Sequence, residues 1–558
     1  FHFYYDVNPF YVDTLDGKVA DCFIKEIYEP YYEKFGTSFE GFFTDEPQIS
    51  RNGIPWSFIL PEEYALAYGD DLLGLLPQLF MPIGDYKQTR VNFWKLVTEL
   101  FSKNFMKKIY DFCDERGLKL TGHVVLEENL LCQLVTNGAC MPHYEYFHIP
   151  GMDWLGRNIY PCLTHHQVSS TAAQVGRKQV LSETFALCGH NVGHDELKRN
   201  YEWMMVRGIN LMCQHLEGYS NRGIRKRDYP PAMYIQQPWW ADYKVFNDAM
   251  SRTGMLLCEG DDGVDTLVLH PQTTAWALYD DAPHKDATSI REIRRYHMAL
   301  MGLIGTLERK HINFHLGDEI LMERHARVEG ASLVIGEKTY TRIILPEHEI
   351  FLDNTEKLLS EYKKNGGVLL QAKEAENLPE NNVIDIPEIT YCERRLDDMD
   401  IYFFVNSTEQ TYRANIAVGT HMMDPVTGEL YPFDGTHEFK KYASLVVIDK
   451  RCGRIEAVEK KAKTPISLDG VWQIDSATEN CMTLDYCDYA FDGEQQGKAY
   501  ILDVMYHALE RERDTNVRMS YTVNISYLPR ELFLVCETPE IFDIKVKRSL
   551  IPCLHENR

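Results

Sequence analysis

Two segments of the chain each end an apolar run on an acid. Glu40-Gly-Phe-Phe-Thr-Asp-Glu-Pro47 delivers Asp45 and Glu46 just before Pro47, which has no N–H to continue a sheet and turns the chain into a loop. Gln179-Val-Leu-Ser-Glu-Thr-Phe185 repeats the pattern with Glu183, followed by a loop containing Gly189, His190 and His194. Two carboxyl groups facing one another are what cleavage of a glycosidic bond requires: one protonates the leaving oxygen, the other acts as nucleophile or as base on water. Each acid taken singly is equally well a helix cap or an arginine partner. Taken together, Glu46 is the candidate proton donor and Glu183 the candidate base or nucleophile.

Such a pair is useful only if the fold brings both acids to one place. From residue 1 to about 250, short apolar runs ending in polar residues alternate with longer amphipathic stretches, the βα rhythm of a parallel sheet. Six strand ends are expected: Phe3 to Asp6, Gly41 to Glu46, Leu118 to His123, Tyr144 to Asp153, Gln179 to Glu183 and Ile209 to Glu217. Between them lie helical patterns such as Val91 to Arg116, ended by Gly117. In a parallel barrel all strand C-termini open on one mouth, so acids far apart in sequence converge there. The same logic adds His123, Tyr144, Asp153, Trp154 and His215 to Asp45 as sugar-contacting candidates, although a buried histidine or tryptophan is as often plain core. Glu127 and Glu128 read equally well as a solvated helix start and are not included.

The expected fold class is therefore α/β multidomain. A (β/α)8 TIM-type barrel, whose first strands precede Phe1, occupies 1–253. A small doubly wound α/β domain of flavodoxin or amidotransferase type occupies 254–375, with strands at Val264 to His270, Ile343 to Pro346 and Gly366 to Gln371 and a helix at Leu352 to Lys364. A β-rich domain follows at 376–463, with strands such as Ile401 to Val405 and Leu445 to Ile448. A β-sandwich-like region at 464–558, cut short at Arg558, begins with Ile466 to Ile474 and includes Phe533 to Glu540.

If Gly41 to Glu46 is the fourth barrel strand, Glu183 ends the seventh. That placement resembles the large glycosidase clan with its acid/base on strand four and its nucleophile on strand seven. Over residues 1–375 the chain also resembles glycoside hydrolase family 106, the α-L-rhamnosidases. The resemblance rests on Phe43-Thr-Asp-Glu-Pro47, Met141-Pro-His-Tyr-Glu145, His148-Ile-Pro-Gly-Met-Asp-Trp154, Ser182-Glu-Thr-Phe185, and Trp203-Met-Met-Val-Arg-Gly-Ile-Asn210 with His215 after it. It implies an inverting hydrolase with calcium (Ca2+) at the active site and a third acid beside the catalytic pair, a role that falls to Glu145. Two rivals stay open: a retaining β-galactosidase-like hydrolase, and a non-catalytic carbohydrate-binding protein.

Composition narrows the partners. The 558 residues carry 58 Lys and Arg against 83 Asp and Glu, a net charge of −25 that repels nucleic acid and anionic membranes. The 33 Tyr, 26 Phe and 8 Trp suit a protein whose clefts stack flat sugar faces. The basic run Arg222 to Arg227, four cations in six residues, reads as a salt-bridged loop, with an anionic substrate as the alternative. No window approaches the roughly 20 apolar residues of a membrane span; Met298 to Leu307 is a short buried-helix pattern. There is no HExxH, no CxxC and no phosphate-binding glycine loop, so zinc catalysis and nucleotide chemistry have no motif behind them. Scattered single cysteines point to reduced thiols and a cytoplasmic setting. The start inside an apolar run implies that the natural N-terminus, with any export signal, precedes Phe1.

Overall fold

The computed structural model describes residues 2–9, 11–51, 53–281, 287–451, 457–458, 466–473, 475, 482–511, 513–524, 530–546 and 549–550. The chain divides into two compact units, residues 1–460 and 461–558.

The first unit opens with five parallel strands: β1 (Gly41–Thr44), β2 (Lys119–Gly122), β3 (Ile149–Trp154), β4 (Leu181–Thr184) and β5 (Leu211–Gln214), hydrogen-bonded in chain order. They form a parallel half-barrel, and every connection between them is helical, as parallel pairing requires. The expected strand at Phe3 to Asp6 is instead irregular at its described residues; Tyr4, Tyr5 and Val7 are exposed. Among the described residues β1 pairs only with β2, so none of them holds that segment in a sheet.

The longest connection explains how the strands are set. From Tyr86 to Asp114 the chain is helical, with a π-helical turn at Ser102–Met106 in the middle. Its inner face is fully buried at Phe93, Trp94, Val97, Phe101 and Ile109. Gly117, at φ +70°, ends it and releases the chain into β2. Gly122 closes β2 against β1 so tightly that a Cβ there would sit 2.0 Å from the Thr44 carbonyl oxygen. Only glycine leaves room for that approach.

The same unit continues with a second parallel sheet. β6 (Thr266–Leu269), β7 (His315–Gly317), β8 (Arg342–Leu345) and β9 (Val368–Gln371) lie in the order β9-β8-β6-β7. Three of these strands and the Asp353–Lys364 helix match the expected α/β domain, while β7 carried no separate signal. The helix Tyr243–Cys258 runs straight across the expected boundary at residue 253. Antiparallel strands follow, including Thr390–Arg395, Met399–Val405 and Ser444–Lys450, paired in that order.

In the second unit, strands Tyr486–Phe491, Glu494–Tyr500 and Val517–Ser520 form one antiparallel sheet. Its core joins Cys487, Tyr489 and Phe491 to Val504 of the helix Ile501–Leu509. A helix thus takes the position expected of an opposing sheet. Residues 466–473 are irregular, with Ile466, Leu468, Val471 and Trp472 exposed, and Ile474 lies outside the described residues. Phe533 to Glu540 likewise forms no strand, and Phe533, Leu534 and Val535 are exposed. Among the described residues no helix is long and apolar enough to cross a membrane.

Candidate active site

Parallel register decides which side chains meet. Asp153 on β3 is directly opposite Glu183 on β4, so both point to the same face of the half-barrel. Strand alternation sends Trp154 the other way, where it is only 3% exposed and packs on Trp203 and Tyr160 at ring distances of 4.9 and 5.0 Å. Trp154 is therefore core and not a sugar platform, and Trp154→Ala should cost about 3–5 kcal/mol of stability in a denaturant titration. A loss under about 1 kcal/mol would contradict this packing.

Glu183 sits between two histidines. His123, the residue after β2, is 1% exposed and places Nε2 2.8 Å from Glu183 Oε2, while its Nδ1 lies 3.0 Å from the Val124 carbonyl oxygen. With Nδ1–H donating to that carbonyl, Nε2 meets the carboxylate as a second N–H only when the ring is cationic. His215, just past β5, places Nε2 3.6 Å from Glu183 Oε1. Burial opposes charge on both members of the His123–Glu183 pair. Their hydrogen bond prevails, helped on His123 by the charges of Glu127 and Asp153: His123 is held up at about 10 and Glu183 below the usual carboxylate range.

The other acids of the cluster move the opposite way. Burial raises Glu46, and the neighbouring Asp45 and Glu183 charges raise it further, against the pull of Arg51 and His123. Arg51 donates to Glu46 at 3.0 Å from a largely exposed position. Burial also raises Asp153, to about 7, opposed by His123 and reinforced by Glu183, Glu46 and Asp45, and its buried Oδ1 has no hydrogen-bond partner. Asp45 is exposed and lies 3.5 Å from His123 Nε2.

Non-glycine residues in the left-handed region follow four of the five strands: Glu46 at φ 48°, Leu126 at 54°, Phe185 at 76° and Tyr229 at 48°. Such backbone costs on the order of 1–3 kcal/mol per residue and gathers at functional sites. All four lie past the C-terminal ends of the strands, the end at which parallel barrels carry their chemistry.

Of the candidates chosen from sequence, Asp45, Glu46, His123, Asp153, Glu183 and His215 come together here. Tyr144 does not: it lies on the short helix Met141–Tyr144, fully buried, and donates to Glu127 at 2.7 Å. Nor does Glu145, whose two oxygens are held by Arg324 and His325 at 2.7 Å each. Glu127, set aside from the sequence alone, is 3% exposed, raised to about 8 by burial, and electrostatically coupled to His123 and Asp153. Nothing in its local pattern separates it from a helix-start acid; only the fold over it does. Arg51 was likewise missed, and its spacing of five from Glu46 is no more than a weak cue.

His123→Asn removes the cation beside Glu183, so the Glu183 pKa should rise and the acid limb of a pH–rate profile should shift to higher pH. An unmoved acid limb would contradict the pairing. The same variant should alter stability against pH. Because folded His123 titrates above the roughly 6.5 of an unfolded histidine, its contribution is complete below that value and disappears as pH rises through about 10.

No protein-family model matches the chain. A curated relative from Formosa agariphila, named "Putative beta-glucuronidase", is 22% identical over 455 residues, covering 72% of this chain and 36% of its own length. Among solved structures, the rhamnosidase from Novosphingobium sp. PP1Y superposes with a TM-score of 0.60 at 15% identity, covering 89% of this chain and 59% of that one. Gan42B, a GH42 beta-galactosidase from G. stearothermophilus, gives 0.55 at 12% identity, covering 78% and 82%. At these identities the likeness is one of fold. The chain shares the fold of these two structures over the portions covered, and it spans about a third of the curated relative.

Proposed function

We propose that the chain carries the catalytic site of a glycoside hydrolase. The observation that carries this reading is the opposite displacement of Glu46 and Glu183 within one cluster at the strand C-termini. Two carboxyl groups pushed apart in this way suit the acid and the base of a general acid/base pair. The rhamnosidase and beta-galactosidase likenesses of fold, and the name of the Formosa agariphila relative, support a carbohydrate substrate.

In the inverting form, Glu46 gives its proton to the glycosidic oxygen as the bond to the anomeric carbon breaks. Glu183 takes a proton from the water whose oxygen attacks that carbon, and exchange with solvent resets both groups. The finer reading, α-L-rhamnosidase-like and inverting, rests on the family 106 resemblance together with the rhamnosidase superposition. The retaining alternative, with Glu183 as nucleophile, is favoured by the beta-galactosidase superposition and the strand-four and strand-seven placement.

Calcium enters only through the family resemblance. Calcium takes 6–8 oxygen ligands. Among the described residues, ligand atoms of Asp45, His123 and Glu183 converge in this site, Asp153 beside them has a buried Oδ1 without a hydrogen-bond partner, and Glu145 is bound elsewhere. No step above uses a metal.

Screening a panel of aryl glycosides, with the product anomer read by NMR, tests the proposal. Turnover with inverted product supports the rhamnosidase-like reading, and retained product supports the alternative. Glycan binding without turnover across the panel would favour a non-catalytic carbohydrate-binding protein.

A further inference from the structure

A second convergent group of side chains lies away from Glu46 and Glu183. The helix Thr164–Gln174, which follows β3, carries adjacent histidines His165 and His166, with ring centroids 4.3 Å apart. Glu308, from the helix Thr288–Arg309, reaches the same point. One ring nitrogen of each histidine and one oxygen of Glu308 all lie within 4.8 Å of one another. None of the three has a part in the proposed hydrolysis.

His165 is not explained as ordinary core, and His166 places Nε2 3.7 Å from Glu308 Oε1. His165 is fully buried, its Nε2 has no hydrogen-bond partner, and its Nδ1 meets only the soft Cys162 sulfur at 3.8 Å. An unsatisfied ring nitrogen in a buried site calls for an explanation, and a bound ion is one of the standard ones.

The surroundings suit a metal. Arg207 donates from Nε to Glu308 Oε1 at 2.9 Å and lies over the Trp203 ring, fixing the carboxylate as the hydrogen-bonded partners of metal ligands do. His166 and Glu308 line a cavity of about 280 Å³ that does not include Glu46 or Glu183. That space supplies an entry route and room for water as a fourth ligand. Two imidazoles and one carboxylate select zinc-like transition metals over calcium or magnesium.

We propose that His165, His166 and Glu308 form a binding site for one divalent transition-metal ion of the zinc type, joining the helix after β3 to the Thr288–Arg309 helix. Its ligands come from two elements, which the ion would hold together.

The test uses the full chain, stripped of metal by chelation and dialysis and titrated with Co2+ alone. The expected result is saturable visible d–d absorption at one equivalent, displaced by Zn2+, and a Tm raised by Zn2+. Glu183→Gln, which disables the Asp45–His123–Glu183 group, should leave that signal intact, whereas His166→Gln and Glu308→Gln should abolish it with the circular dichroism spectrum unchanged. X-ray absorption of zinc on the wild-type protein gives an answer that does not depend on whether the variants fold: two imidazole ligands support the site, and one or none overturns it. No saturable Co2+ spectrum in wild type, its survival in both His166→Gln and Glu308→Gln, or its loss in Glu183→Gln would also overturn it.

Discussion

Glu183→Gln is expected to lower kcat by about 10²–10⁴-fold on whichever aryl glycoside the wild-type protein hydrolyses. Glutamine keeps the size of the side chain and can still meet His123 and His215, but it can neither accept a proton nor attack the anomeric carbon. A second measurement is independent of turnover. In the wild type the Glu183 carboxylate is the main support for charge on His123, which holds it at about 10 against the burial that would neutralise the ring. Removing the carboxylate should bring the His123 titration down in histidine NMR, because a buried cation that loses its hydrogen-bonded counter-ion is costly. Near wild-type kcat would remove Glu183 from the reaction, and an unmoved His123 titration would contradict the ion pair itself.

Glu46→Gln should behave differently with different leaving groups. A substrate with an alkyl aglycone needs its departing oxygen protonated and should lose about 10²–10⁴-fold in kcat, whereas an aryl glycoside with an acidic phenol should lose far less. The pH profile adds a sign. Glu46 must be protonated to act, and its raised pKa keeps it so to higher pH than an ordinary glutamic acid; Glu183 must be ionised, and its lowered pKa keeps it so to lower pH. Activity should therefore span the interval between the two, with Glu46 setting the alkaline limb and Gln at position 46 abolishing that limb. A limb that survives Glu46→Gln with a midpoint near 7 would transfer the donor role to Asp153, whose carboxyl is raised to about 7 and carries a buried oxygen without a partner.

Much of this site is legible in the chain because strand ends have a simple grammar. An apolar run, a polar residue at its end and a breaker after it place Asp45, Glu46, His123, Asp153, Glu183 and His215 at strand ends, since a parallel sheet delivers every strand C-terminus to one side. The grammar fails where a run is not a strand. Tyr144 and Glu145 precede the true strand by several residues, on a short helix opened by Cys140 and Pro142, and their partners, Glu127, Arg324 and His325, lie 17 to 180 positions away. It fails again at Trp154, whose apolar strand is right but whose face is set by period-two alternation relative to Asp153.

The sequence by itself determined the alternation of strands and helices, the acids at two strand ends and the acidic surface, because these follow from local periodicity, turn chemistry and a count of charges. Only the tertiary structure decided how those residues are charged. Which acid is ionised depends on burial and on His123, 60 residues from Glu183 in the chain yet 2.8 Å from it in space. Electrostatic coupling acts through distance and desolvation, neither of which a linear order of residues records.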